Sequence, residues 1–331
     1  MQTVLVTGGA GYVGSHVCLK LAEAGFQPVV FDNLSNGHAE FVKWGPLEVG
    51  DIRDAARLDA VFAQHKPVAV LHFAALIEVG ESVKEPARFY DNNVAGAICL
   101  IEAARRAGVN AMVFSSTCAT YGAPVRVPLD ETHPQAPLNP YGRTKLMVEQ
   151  VLRDLDQYAG FRSISLRYFN AAGADPQGRI GERHEPETHA IPLAIRAAMG
   201  EGPTFRLMGE DYPTPDGTAV RDYIHVLDLA DAHVLALKRL LAGGATDAFN
   251  LGTGSGTSVK QLVEAIQRAS NTPFKVERAP RREGDAPMLV ADNRKAREVL
   301  GWSPKLRLDD IIDSAWAWHR AEAARGREAA E

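Results

Sequence analysis

The stretch TVLVTGGAGYVGSH, residues 3–16, constrains this chain more than any other. A β-branched apolar run breaks into glycines and then into an amphipathic pattern, which predicts strand, tight turn and helix. Gly8, Gly11 and Gly14 form a G-x-x-G-x-x-G array around Tyr12 and Val13. Glycines in such a turn permit the tight bend, a close approach of backbone to a pyrophosphate, and close helix–strand packing. The free N–H groups at the helix start add partial positive charge for a phosphate.

A glycine hexamer alone is a weak signal. Here a strand precedes it, a helix follows it, and an acidic residue closes the next strand. That residue is Asp32 in PVVFDN, with Asn33 after it. It stands about 20 positions beyond the glycines, where a carboxylate accepts hydrogen bonds from adenosine ribose hydroxyls. No arginine follows in DNLSNG to neutralise a 2′-phosphate, so the expected dinucleotide is NAD rather than NADP.

The first half keeps one rhythm. Short apolar runs at 3–6, 28–31, 68–73, 111–116 and 163–169 alternate with the helical patterns YVGSHVCLKLAEAG, DAARLDAVFAQH, ARFYDNNVAGAICLIEAARRAG and YGRTKLMVEQVLRDLDQY. Continuous apolar strands separated by helices predict an α/β fold, a doubly wound parallel sheet of the Rossmann type covered on both faces. Past residue 170 the pattern loosens into AAGADPQGRIGERHEPET, read as a long loop, and a helix–strand piece returns near 220–252. The expected organisation is a dinucleotide-binding domain over 1–169 with that returning piece. A smaller, interleaved α/β substrate domain takes 170–219 and 253–331.

A formal net charge of −5 and the lack of a polybasic stripe argue against nucleic acid as partner. No apolar stretch reaches the roughly 20 residues of a membrane span, and the N-terminus lacks the basic and apolar regions of a signal peptide. The three cysteines, Cys18, Cys99 and Cys118, are too dispersed for a disulfide framework or zinc knuckle. The expectation is a soluble cytoplasmic protein. His72, His184 and His189 show no metal spacing and read as loop or core residues, so no metal is expected. Cys118 reads as a packed thiol and Asp228 as the N-cap of the helix beginning LADAH. The second glycine run, FNLGTGSGTS, reads as a loop into a helix starting near Ser258.

PLNPYGRTK, residues 137–145, carries the chemistry. Asn139 is a good N-cap and Pro140 suits the first helical position. Tyr141 and Lys145, four apart, then share one helix face. TGGAGYVG, GDIRD, HFAALIEVGES, FSSTCATYG, PYGRTK, RYFNAAGA, VRDYIHVLDLA and RREGD follow in order along nearly the whole chain. In sequence and spacing the set resembles the UDP-glucose 4-epimerases of the extended short-chain dehydrogenase/reductase family. The glycine turn and the Tyr–Lys pair are shared by many sugar-nucleotide enzymes. RYFN, VRDYIHV and RREGD are more specific.

The resemblance implies that Tyr141 is the acid/base, Lys145 its partner and a ribose ligand, and Thr117 a hydrogen-bond partner of the sugar O4. It implies that Asp51 and Ile52 flank the adenine, and that Phe73, Ala74, Asn92, Ser115 and Phe169 line the cofactor. Asn170, Arg221, Arg282 and Asp285 would hold the nucleotide half of a UDP-sugar, with Leu289 beside the sugar. Ile77 stands where some bacterial members have lysine, which removes one pyrophosphate contact. Leu289 stands where others have a bulky tyrosine, which suggests tolerance of N-acetylhexosamines. The family also implies a homodimer through the helices 86–107 and 140–157.

Inverting C4 of a sugar requires breaking a C–H bond that is not acidic. Oxidation to a transient 4-keto sugar, with hydride to and from bound NAD, solves that problem. A phenol of pKa near 10 is a poor base at neutral pH. A cation about 6 Å away, at an effective dielectric of about 20, contributes roughly 2.8 kcal/mol, or about two pKa units. Rival readings are an epimerase of UDP-glucuronate or a UDP-pentose, a sugar-nucleotide dehydratase, and a non-catalytic NAD sensor. A dehydratase needs an Asp-Glu pair after the threonine, where this chain has Cys118-Ala119.

Overall fold

The computed structural model describes residues 1–281 and 285–328. Its centre is a sheet of β1 (Thr3–Thr7), β2 (Gln27–Asp32), β3 (Leu47–Val49), β4 (Ala69–His72), β5 (Ala111–Thr117), β6 (Arg162–Tyr168) and a last strand, Asp247–Leu251. The spatial order is Asp247–Leu251, β6, β5, β4, β1, β2, β3, and every pairing is parallel.

Side chains alternate across a strand, and here both faces are buried. Val4 and Val6 of β1 enter one core, with Val30 of β2 and Leu71 of β4. Leu5, Val29, Phe31 and Val70 enter the other. Helix α1 (Tyr12–Glu23) and the Val226–Leu241 helix cover the first face through Val17, Leu21, Leu229 and Leu237. Helix α2 (Ala55–His65) and the Gly96–Arg106 and Pro140–Ala159 helices cover the second through Leu58, Leu100, Val148 and Leu152. Apolar runs without polar alternation are thus explained, since neither face meets water.

Residues beyond 170 build a further core from Ile191, Ile195, Phe205, Leu262, Ile266 and Ile312. The short strand Asn170–Ala172 runs parallel to Tyr223–His225 and joins that core to the sheet. Ser258 caps the Val259–Ser270 helix with a reciprocal bond to Gln261, as the reading of the second glycine run requires. Among the described residues no helix is long and apolar enough to cross a membrane.

Three local expectations change. Strand β3 is three residues long, too short for a period-2 signal, and pairs at the edge with Val30, Phe31 and Asp32. The single helix expected over 87–108 runs as Pro86–Tyr90, a π-helical turn Asp91–Ala95, and Gly96–Arg106. Asp228 is no N-cap: the helix starts at Val226, where His225 accepts from Leu227 N. Asp228 instead lies inside the first turn and accepts from the backbone N–H groups of Lys305 and Leu306.

Candidate active site

The strand order reverses between β1 and β4, and ligands of such sheets bind in the crevice beyond the carboxyl ends there. The glycine turn fills one wall. Gly8 has φ +73°, and a Cβ on it would lie 2.5 Å from Ala74 N. A Cβ on Gly14 would lie 2.2 Å from the Gly8 carbonyl oxygen. Gly8 therefore lets the turn pass against Phe73-Ala74, and Gly14 lets α1 start directly beneath it. Gly11 is the N-cap and offers no side chain, so the helix N–H groups face the crevice. Tyr12 donates to Gly173 O at 2.6 Å, which ties the turn to the second lobe.

Asp32 ends β2 at the mouth of this crevice. It accepts from Ala10 N at 3.0 Å and Leu34 N at 2.9 Å, so its carboxylate is locked to the turn. Asn33 donates to Asp51 at 3.3 Å. Arg53 grips Asp51 through two side-chain bonds and holds its carboxyl down at about 2. Ile52 is buried against Gly96, where a Cβ would come within 2.8 Å of the Ile52 side chain.

Deeper in, Phe73 packs on His233 with ring centroids 4.8 Å apart. Asn92 donates to Asn93. Phe169 lies in a buried cluster with Tyr121, Leu129 and Ala291, against which Cys118 and Leu289 pack. Burial pushes the Cys118 thiol up to about 12, which leaves no thiolate for nucleophilic work.

Thr117 is the last residue of β5, and Tyr141 enters from the Pro140–Ala159 helix, whose N-cap Asn139 accepts from Gly142 N at 2.8 Å. One turn on, Lys145 is buried, with Nζ 6.0 Å from the Tyr141 ring centroid and 5.0 Å from that of Phe114. The ammonium donates to Ser115 O at 2.9 Å. Burial lowers Lys145 to about 7. The same burial, with the Lys145 charge second, lowers His72 to about 3. The expected depression of the phenol is not what the protein alone produces. Burial raises Tyr141 well above its ordinary value and Tyr168 adds to this, while the Thr117 side chain opposes it.

Arg221 donates to the carbonyls of Val220 and Ala286, and its second amino group lies 3.5 Å from Asp285. Leu289 sits in register opposite Arg221 on the adjoining strand. Asn170 N donates to Asp222 O, so its side chain is carried at the junction of the two lobes. Arg281 stacks over Tyr212 at 4.4 Å, and Arg282 lies outside the described residues. Ile77 bonds only through its backbone, to Glu78.

Residues 4–252 match the family described as the NAD dependent epimerase/dehydratase family. The chain belongs to that family. It is similar to a UDP-glucose 4-epimerase of Rhizobium leguminosarum bv. trifolii, 68% identical over 318 residues, covering 96% of this chain and 97% of the relative. A crystal structure of UDP-glucose 4-epimerase from Brucella ovis in complex with NAD superposes with a TM-score of 0.94. It is 50% identical, with 96% and 98% of the two chains covered. The enzyme of Bifidobacterium longum, in complex with NAD+ and UDP, gives 0.92 at 37% identity, with 97% and 99% covered.

For an epimerase/dehydratase, the sequence reading missed several residues that position the site. Asn93, made inward-facing by the π turn, holds the backbone of Leu76 by two bonds and donates to Thr144 at 3.2 Å. Tyr168 bonds Ser115 beside the Lys145 contact. Arg167 and Glu149 form a buried pair at 2.6 Å that also takes Ser116 and Tyr121. It locks β5, β6 and the Tyr141 helix together. His184 and His189 lie in the loop before the Ala190–Met199 helix, as read, but not apart from other ligating groups. His184 and His189 are gathered with Glu182 and Glu187, and the four ligand atoms lie within 4.8 Å of one another. Burial opposes protonation of both imidazoles, but the two glutamates outweigh it and hold His184 at about 9 and His189 at about 10. The pattern E-x-H-x-x-E-x-H was legible as the signal.

Proposed function

We propose that this chain is a UDP-glucose 4-epimerase, interconverting UDP-galactose and UDP-glucose through a transient 4-keto sugar, with Tyr141 as the acid/base. The observation that carries this reading is the meeting of Thr117, Tyr141 and a buried Lys145 at the carboxyl ends of β4 and β5, in a chain whose relatives bear that name.

The residues present fit NAD: Gly8 and Gly14 leave a turn that a Cβ would fill, Asp32 is fixed at its rim, and no arginine follows it in DNLSNG. Gly8, Gly11, Tyr12, Val13 and Gly14 would hold its pyrophosphate, and Asp32 and Asn33 a ribose. Asp51 and Ile52 would hold the adenine, with Phe73, Ala74, Asn92, Ser115, Lys145 and Phe169 lining the remainder. When bound, NAD supplies a hydride acceptor for C4 and a positive charge that favours the phenolate.

The protein's own groups do the rest. Tyr141 takes the O4 proton and returns it to the inverted alcohol, while Thr117 orients O4 by hydrogen bonding. Lys145, pinned by Ser115 O, fixes the base and donates to a ribose. Because burial raises the phenol, Tyr141 waits protonated and gives up its proton only when positive charge is brought beside it. Arg221, Arg282, Asp285 and Asn170 hold the nucleotide, a guanidinium fork matching phosphate oxygens bidentately. Leu289, on the strand paired with that of Arg221, is smaller than the tyrosine some members carry there, which supports tolerance of N-acetylhexosamines.

Residues 1–169 with 220–252 are assigned as the cofactor domain and 170–219 with 253–331 as the substrate domain. Exposed Ile98 and Met147 support dimerisation through the helices 86–107 and 140–157. The test is to incubate the purified protein with UDP-galactose, without added NAD, and follow the anomeric protons by NMR. UDP-glucose rising to a fixed ratio is expected. No conversion, even with NAD supplied, overturns the assignment in favour of another nucleotide sugar such as UDP-glucuronate or a UDP-pentose.

A further inference from the structure

The Glu182–His189 segment holds more ligating groups than a loop needs. Gly181 presses on the Trp318 indole, where a Cβ would come within 2.3 Å, and Trp318 donates to Glu182 O at 2.9 Å. On its other side the His184 ring meets the Tyr12 ring edge-on at 6.3 Å. Anchored so, the segment turns four side chains inward. Two are carboxylates with side chains only 6% and 1% exposed, Glu182 and Glu187. Two are imidazoles, His184 and His189.

Their spacing is the informative quantity. His184 Nδ1 lies 3.4 Å from Glu182 Oε1 and 3.7 Å from Glu187 Oε2, and His189 Nδ1 lies 3.1 Å from Glu182 Oε1 while hydrogen-bonding the other Glu187 oxygen, Oε1, at 2.9 Å. Metal–ligand bonds of about 2.0 to 2.1 Å in a tetrahedron give edges of about 3.3 Å. The contacts at His184 are too long for charge-assisted hydrogen bonds, which run at about 2.7 to 2.9 Å. Accordingly, His184 Nδ1 and Glu187 Oε2 are buried without any hydrogen-bond partner. An orphaned acceptor on a buried carboxylate costs free energy unless something fills the gap.

The carboxylate is also aimed. Glu187 Oε1 accepts from the backbone N–H groups of Thr188 at 2.7 Å and His189 at 2.8 Å, which turns Oε2 toward the centre. Outer bonds that orient a ligand in this way accompany metal sites.

We infer that Glu182, His184, Glu187 and His189 form a closed structural site for one zinc-class divalent cation. Two imidazoles with two carboxylates in four-fold array suit zinc better than magnesium or calcium, which take six or more oxygens. All four positions belong to protein, so the ion has no open position for catalysis. Its work is to clip the 182–189 segment between Tyr12 at the cofactor turn and Trp318 on the last helix. The proposed proton and hydride chemistry does not involve it.

The test uses the full chain, stripped with a chelator and returned to one equivalent of zinc chloride. After gel filtration, metal analysis is expected to find one zinc per chain. At zinc a hundredfold above its dissociation constant the melting temperature is expected to rise by roughly 4 °C. Cobalt(II) is expected to give the intense visible bands of a four-coordinate site. Magnesium at the same excess is expected to change nothing. The double variant H184N/E187Q and the half-exposed H189A are each expected to lose retention and the melting shift. Zinc that washes off the wild type, or that stays bound equally in both variants, overturns the assignment.

Discussion

The ammonium of Lys145 donates to the carbonyl oxygen of Ser115 at 2.9 Å, inside the protein and one helical turn from Tyr141. Burial holds that ammonium at about 7 instead of its usual 10.5. Between those values the unfolded chain carries a proton that the folded chain has released, so this group makes stability rise with pH across the window. Below about pH 7 the folded protein bears the full cost of burying the charge. Lys145→Met removes the cost. The variant is expected to melt above wild type at pH 6, with the gap closing towards pH 10, while turnover falls at least about 100-fold. Melting curves at a series of pH values check the sign, and a variant less stable than wild type at pH 6 contradicts it.

Tyr141→Phe keeps the ring and removes the proton carrier. Turnover is expected to drop by about 10²- to 10⁴-fold, with the melting temperature and bound NAD content close to wild type. Turnover within a few-fold of wild type would move the acid/base role to another group, Tyr168 first, since it already bonds Ser115.

Glu149 lies two turns beyond Tyr141 and pairs with Arg167 at 2.6 Å, both side chains nearly inaccessible. Removing one partner leaves the other charge buried and alone, which costs about 3 to 5 kcal/mol. Glu149→Ala is expected to lose that much in urea unfolding. The joint replacement of Glu149 and Arg167 by methionine is expected to recover most of it. A single variant as stable as wild type would mean that water reaches the pair.

Gly8→Ala introduces a Cβ 2.5 Å from the backbone nitrogen of Ala74 at a left-handed φ of +73°. Neither obstacle can move cheaply, because both are backbone. The purified variant is expected to carry little NAD by absorbance and to melt lower, and added NAD is expected to restore activity only in part. Full NAD content would show that the turn can open without loss.

What the sequence discloses here is what neighbouring residues decide among themselves. The glycine turn, the Asn139 N-cap with Pro140, and the Ser258 capping box are local devices, and the structure forms each where its residues stand. Strand β3 was silent because three residues cannot show a period of two. Asp228 looks like a cap by type, yet packing spends its carboxylate on Lys305 and Leu306, far along the chain. The surroundings of Tyr141 are hidden for the same reason. Spacing places Lys145 on its helix face, 6.0 Å from the ring, while only the folded protein shows the burial that raises the phenol. Arg167 was visible within RYFN, and nothing local pairs it with Glu149.

In the proposed epimerisation the hydrogen at C4 leaves as hydride and returns to the same sugar. The most direct measurement is to run the reaction from UDP-galactose to equilibrium in D₂O and read C4 of both sugars by NMR. Complete retention of protium at C4 is the predicted result. Deuterium at C4 would mean that the hydrogen exchanges with solvent as a proton, and would rule out hydride transfer to bound NAD.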